Sequence, residues 1–138
     1  MLDRLRQVAR ELDLPFGERK MTFNSRLAQE LAKWAEDQGR GDAFHHAVFL
    51  AYFERGDNIA HPPVLFQVCS AIGLDPAAAK AVLDQRSYRE AVDRDWHRSR
   101  QMGITAVPTF VLNGQRLVGA QSYAALEGMV LSAGVGRR

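Results

Sequence analysis

The chain has 138 residues, of which 46% are hydrophobic and 25% are charged, and its formal net charge is +2. This length and apolar content predict a folded chain with a core of its own and exclude a disordered one. No apolar run approaches the roughly 18 residues that cross a bilayer, and the arginines are scattered rather than clustered. We therefore predict neither a membrane protein nor a nucleic-acid-binding protein.

The first hundred residues have the pattern of a helical body. Apolar residues recur at helical spacing from Leu2, and this first helix should end before Pro15. Asn24 or Ser25 is expected to cap a second helix, which ends at Gly39.

The next four helices follow from their terminal residues. Asp42 is expected to cap the third helix and Gly56 to end it. Pro62-Pro63 opens the fourth, over residues 64–72, and Asp75-Pro76 opens the fifth. For the sixth helix, which should end near residue 102, Ser87 and Glu90 form a capping box.

The periodicity then changes to that of a hairpin. Thr109–Leu112 and Gln115–Val118 read as strands around an Asn113-Gly114 turn, which pairs Phe110 with Leu117. Both faces are mostly apolar, so the hairpin is expected to lie between two layers. A last helix, over residues 122–133, should have four residues facing inward. These are Leu126, Met129, Val130 and Ala133.

A lone hairpin leaves two open edges and is marginally stable in water. Either further strands complete the sheet or its edges pair with another chain, for example in a homodimer. The only other strand candidate lies in residues 14–23, where Pro15 and Gly17 weaken it.

The single cysteine, Cys69, excludes a disulfide within the chain, a Cys-x-x-Cys motif and a zinc cluster, and it suits a reducing, cytoplasmic location. It could be a reactive thiol. However, Leu65, Val68, Cys69 and Ile72 share one helical stripe, which favours a buried, structural cysteine.

The other candidate groups also have structural explanations. His45 and His46 point to different sides of a helix, so they make a poor metal pair. Asp93 and His97 could form an acid–base pair, but a solvated contact at this spacing is commoner. We predict no metal site, no cofactor and no catalytic residue in this chain.

Two motifs near the C-terminus, Val107-Pro108-Thr109-Phe110 and Gly119-Ala120-Gln121, are similar to those of DsbA-type thioredoxin-like proteins, especially the FrnE-like branch. Three upstream pieces agree in order. They are Asn24-Ser25-Arg26-Leu27-Ala28, Ala51-Tyr52-Phe53 with Asn58-Ile59, and Gly73-Leu74-Asp75.

This resemblance implies a mostly helical α+β, thioredoxin-like fold. Residues 1–102 would form the family's inserted helical domain, and residues 103–138 the C-terminal half of its thioredoxin-like domain. It also implies a cis Val107–Pro108 bond in a loop where Ala106, Val107, Pro108 and Thr109 bind a protein or peptide substrate as an added strand.

The chain also departs from the family pattern. The N-terminal β-α-β unit, which carries the family's Cys-x-x-Cys motif, has no counterpart in this sequence, and Gln29 stands where the family usually has a histidine. Either the natural protein starts upstream or the gene encodes a remnant.

The leading hypothesis is therefore a member of a thiol–disulfide oxidoreductase family that is redox-inactive as this chain. One alternative is a non-catalytic module that binds a strand or dimerises through its sheet edge. Another is a relative of the glutathione-dependent 2-hydroxychromene-2-carboxylate isomerases, whose catalytic serine would also lie in the absent unit.

Overall fold

The computed structural model describes residues 2–18 and 20–136. Its elements are α1 (Leu2–Glu11), α2 (Arg26–Asp37), α3 (Gly41–Phe49), α4 (Pro62–Ala71), α5 (Pro76–Gln85), α6 (Arg89–Gln101), β1 (Thr109–Leu112), β2 (Gln115–Val118) and α7 (Tyr123–Ser132). The chain divides into two compact units. The boundary between them in the sequence lies between Arg94 and Asp95, within α6. The assignment of residues 1–102 to an inserted domain stays a prediction.

The first unit is built around the apolar stripes of α2 to α5. In the predicted stripe of α4, Leu65, Val68 and Cys69 are buried and Ile72 is half-buried, and Phe44 of α3 is almost fully buried. The main side chains of this core are Leu31, Trp34, Ala35, Phe44, Ala51, Leu65, Val68, Cys69 and Leu83. In α1, by contrast, only Ala9 is buried.

Two predicted helix starts agree with the structure and two do not. Pro62 is the first residue of α4, and the Asp75 carboxylate accepts the Ala77 N–H at the start of α5. The capping role of Asp42 is wrong, because α3 begins one residue earlier, at Gly41. The capping box at Ser87 is also wrong, because its N–H donates to the Val82 carbonyl and so closes α5 instead.

The end of α3 is unusual. The helix continues as a π-helical turn over Leu50–Glu54 before Gly56 adopts a positive φ of 71°. The weak strand candidate in residues 14–23 is wrong, because residues 14–18 and 20–23 contain no strand. It passes over this turn, where the Gly17 N–H donates to the Phe53 carbonyl at 2.7 Å. A Cβ on Gly17 would lie 2.3 Å from the Glu54 carbonyl oxygen, so only glycine fits this crossing.

A buried carboxylate joins the helices of the first unit. Glu30 is fully buried and accepts hydrogen bonds from Arg26 at 2.8 Å and from two nitrogens of Arg86 at 2.6 and 2.9 Å. Arg26 also donates to the carboxylate of Asp93 and to the carbonyl of Arg89. The network thus ties α2 to the α5–α6 turn and to α6, and the two guanidinium groups compensate the buried negative charge.

In the second unit, the hairpin has the predicted register. Phe110 lies opposite Leu117, and Val111 lies opposite Arg116. Asn113 and Gly114 both have positive φ, as a tight hairpin turn of type I′ requires.

The faces of the hairpin are less covered than predicted. On one face, Ser132 of α7 donates to the Gln115 side chain. On the other, Arg116 donates to carbonyls at the end of α6. Phe110, Val111 and Val118 nevertheless remain 37%, 40% and 51% exposed. The expectation of a hairpin enclosed between two layers is therefore wrong for the described residues.

The last helix follows its predicted position more closely than its predicted packing. Ser122 caps α7 by accepting the Ala125 N–H at 3.3 Å. Of its expected inward residues, Met129 is buried but Val130 is exposed. Across the described part of the chain, no helix is both long and apolar enough to span a bilayer.

We predict that Glu30→Gln lowers the free energy of unfolding by about 1–3 kcal/mol, because an amide N–H then faces guanidinium donors in a buried site. The matched control is Asp84→Asn, which alters the exposed Lys80–Asp84 pair of α5. This control should change stability by less than about 1 kcal/mol. Urea unfolding of both variants measures the difference, and equal effects would contradict a special role for Glu30.

The pH dependence follows from the same carboxylate. The Arg86 guanidinium, ahead of the Arg26 guanidinium, holds the pKa of Glu30 below its ordinary value of 4.5. A lowered folded-state pKa means that the network stabilises the protein above the unfolded-state pKa and loses this contribution as pH falls through the folded one. The stability gap between the native protein and Glu30→Gln should therefore shrink in acid.

Candidate functional site

The loop that leads into β1 is anchored at its start by a side chain of β2. Arg116 donates to the carbonyl oxygen of Gly103 at 3.0 Å and also to that of Met102, the last groups after α6. Carbonyls at a helix C-terminus carry partial negative charge, which a guanidinium group neutralises. The anchor therefore fixes the point from which the loop leaves the helix.

The end of the loop is held by two further hydrogen bonds. The Thr109 hydroxyl donates to the Ala106 carbonyl at 2.6 Å. The Gly119 N–H donates to the Pro108 carbonyl at 2.8 Å, which extends the pairing of the hairpin by one position. The Val107–Pro108 peptide bond is cis.

Val107 is the most exposed large apolar residue of the structure. Its exposed fraction is 88%, and its backbone N–H and C=O have no hydrogen-bond partner among the described residues. The loop's other carbonyls at Ala106 and Pro108 are occupied. Of the residues that precede β1 in this loop, Ala106, Val107 and Pro108, Val107 is thus the one that offers both backbone groups to an outside partner.

The outer edge of β1 continues this row of polar groups. Hydrogen-bonded and non-hydrogen-bonded pairs alternate along antiparallel strands, and the Gly119 bond just described fixes which pairs are which. By that alternation, the N–H and C=O groups of Thr109 and Val111 point away from β2. Among the residues that the structure describes, these outward groups have no partner.

The outer edge of β2 is different. The Gln121 side chain donates to the Val118 carbonyl at 2.6 Å, so one outward acceptor of this edge is already occupied. The sequence analysis named Gln121 only as part of a family motif. Its role at the edge becomes visible only once the chain turns after Gly119.

The single thiol is unsuited to redox chemistry. Cys69 is fully buried, and burial raises its pKa to about 11. Nucleophilic attack requires an exposed thiolate in an electropositive setting. The predicted structural role of this cysteine agrees with its position in the core.

The polar groups considered as candidate catalysts lie apart from one another. Asp93 does not pair with His97 but with Arg26 at 2.7 Å, and Arg26 holds the pKa of Asp93 below its usual value. Asn24 accepts the Arg26 N–H at 2.8 Å, so it shapes the turn into α2. The residues described by the structure contain no cluster of His, Cys, Asp and Glu able to hold a metal ion.

The Glu30 network was missed at the sequence level. Arg26 and Glu30 are four residues apart, a spacing that predicts an ion pair on one helix. Arg86 lies 56 positions further on, and nothing in the sequence connects it to Glu30.

Comparison with known proteins identifies the family to which this fold belongs. A family model described as a DSBA-like thioredoxin domain matches residues 1–130. The chain belongs to this family. The resemblance read from the C-terminal motifs and the thioredoxin-like, mostly helical fold are thereby confirmed.

Two relatives show how much of such proteins this chain spans. The uncharacterized protein YwbO of Bacillus subtilis (strain 168) is 32% identical over 95 residues, which cover 68% of this chain and 48% of YwbO. A solved structure of 2-hydroxychromene-2-carboxylate isomerase (HCCA isomerase) superposes with a TM-score of 0.76 at 21% identity, over 96% of this chain and 64% of that one. The chain therefore spans about half to two thirds of these proteins' length.

We predict that Cys69 is inert in the folded protein. A pKa raised from 9.0 to about 11 leaves about 100-fold less thiolate at neutral pH, and burial hinders access further. A chromogenic disulfide reagent should therefore react at least about 100-fold more slowly with the native chain than with the chain in guanidinium chloride. The positive control is Tyr123→Cys, at a position that is 79% exposed. Equal rates for Cys69 and the thiol at position 123 would contradict the assignment.

Proposed function

We propose that this chain belongs to a thiol–disulfide oxidoreductase family but does not catalyse thiol–disulfide exchange by itself. The observation that carries this proposal is the buried Cys69, the single cysteine of the sequence, whose pKa is raised to about 11. We place the chain in the cytoplasm, because a lone buried thiol suits a reducing compartment.

The steps of thiol–disulfide exchange explain why Cys69 cannot catalyse this reaction. Exchange begins when a thiolate attacks a substrate disulfide, forms a mixed disulfide and releases one substrate thiolate. A second thiol must then resolve the mixed disulfide for a dithiol cycle to turn over. One buried thiol supplies neither the attacking nor the resolving group.

The expected result in an insulin-reduction assay with dithiothreitol is a rate equal to that of dithiothreitol alone. The matched control is Cys69→Ala, which should give the same rate, because the thiol takes no part. Catalysed reduction by the native chain that Cys69→Ala abolishes would overturn the proposal.

The remaining function that the geometry supports is the binding of an extended polypeptide at the cis-proline loop. The supporting observation is Val107, which is 88% exposed and has unpaired backbone groups. An extended peptide can pair with such groups as an added strand, and its own backbone then supplies most of the hydrogen bonds. In this proposal Ala106, Pro108 and Thr109 position Val107 by their contacts within the loop.

This role predicts that the amide resonance of Val107 shifts when reduced and alkylated insulin B chain is titrated into the labelled protein. The matched probe is the same peptide with alternate backbone nitrogens methylated, which removes donors while leaving the side chains. Binding of both peptides with equal affinity would show side-chain recognition and contradict strand addition.

The structural likeness to HCCA isomerase keeps a glutathione-dependent isomerase as a second candidate. Glutathione is a tripeptide, so its peptide groups could pair with the same free backbone of Val107. Calorimetry with glutathione distinguishes the candidates. Saturable binding favours an isomerase relative, and no heat of binding favours the polypeptide site.

A further inference from the structure

The C-terminal end of α6 is capped by its own backbone. The Ile104 N–H donates to the Ser99 carbonyl at 3.1 Å, and the Gly103 N–H donates to the Arg100 carbonyl at 2.9 Å. Gly103 has a positive φ of 65°, so these two bonds form the Schellman motif that commonly ends helices. No further bond is therefore needed at this point to end the helix.

Arg116 nevertheless binds the chain at this point, through the carbonyls of Met102 and Gly103. Both groups follow the last residue of α6, Gln101, and so belong to the chain that leaves the helix. Because the helix is already capped, the effect of these bonds falls on the direction in which residues 104–108 depart.

The other end of this loop is held from the same strand. Gly119 directly follows β2, and its N–H donates to the Pro108 carbonyl at 2.8 Å. Arg116 lies within β2. One strand thus fixes both ends of the loop, with Val107 between them. Restraint at both ends removes conformational freedom that a binding partner would otherwise have to remove, and this loss of freedom opposes binding.

The hairpin in turn aligns Arg116. It lies opposite Val111 in the strand register, and side chains in such pairs are neighbours on one face. Thr109 stands on the same face, because side chains alternate along a strand. Its hydroxyl donates to the Ala106 carbonyl at 2.6 Å. One face of the hairpin therefore carries both side chains that bind carbonyls of the loop region.

We propose that Arg116 is a positioning residue for polypeptide recognition, which orders residues 104–107 so that the N–H and C=O of Val107 face an incoming strand. The inference rests on the proposed binding of an extended polypeptide at Val107. In this role the guanidinium group does not contact the peptide, and its effect reaches Val107 through the chain.

The variant Arg116→Met tests this role with two measurements. In the free, labelled protein, the backbone order parameter at Val107 should fall below about 0.6, the range of flexible backbone. The dissociation constant for reduced and alkylated insulin B chain should rise about three- to tenfold, which corresponds to the net loss of roughly one hydrogen bond.

Two further variants separate the hydrogen bonds from charge and packing. Arg98 lies in the last turn of α6 with the same charge and donates to neither loop carbonyl, so Arg98→Met should change neither measurement. Arg116→Lys should recover part of both, because an ammonium group donates hydrogen bonds without the guanidinium fork. Lysine and methionine have side chains of similar length, so recovery by lysine alone identifies the hydrogen bonds as the cause.

Three results would overturn the proposal. They are an unchanged order parameter at Val107 in Arg116→Met, an unchanged affinity of that variant, and loss of exchange protection at Phe110 and Leu112. The last result would assign Arg116 to the stability of the hairpin instead. Failure of the native chain to bind the peptide is distinguishable, because it would refute the proposed function itself, whereas the order parameters are read on the free chain.

Discussion

Every backbone N–H and C=O group of a strand needs a partner, and a two-stranded hairpin leaves half of them facing outward. This constraint organises the second unit of the structure. Gln121 occupies one acceptor of β2, and Gly119 extends the pairing as far as Pro108. Among the described residues, unpaired outward groups remain on Val107, along the outer edge of β1, and on β2 at Arg116 and the Val118 N–H. The proposed binding of an extended polypeptide follows from the unpaired backbone groups of Val107.

The first unit solves a different problem, the burial of a charge. Glu30 is fully buried and held by two guanidinium groups, so removing both partners would leave an uncompensated carboxylate in the core. The same core encloses Cys69 and suppresses its ionisation. The helical unit thus buries both a charge-compensated carboxylate and a thiol that cannot react with a substrate.

Local rules predicted a good part of this structure from sequence. Asn113-Gly114 determines the turn type, and the turn type sets the register, so the pairing of Phe110 with Leu117 could be predicted. The position of Cys69 followed from helical spacing. The predicted cap of α3 failed because the cap position is Arg40 and Asp42 lies inside the helix. The Glu30 network was missed because its partner Arg86 is distant in the sequence. The exposure of the hairpin faces could not be predicted, because apolar residues alone do not show what covers them.

Amide hydrogen exchange of β1 tests the central claim most directly, because it reads the outward and inward groups separately. In dilute solution, we expect the amides of Phe110 and Leu112 to be protected and those of Thr109 and Val111 to exchange as exposed groups. When reduced and alkylated insulin B chain is added, the Val107 amide should gain protection. Protection of the Thr109 and Val111 amides that is already present in dilute solution without peptide would contradict the account, because it would mean that these groups have a partner.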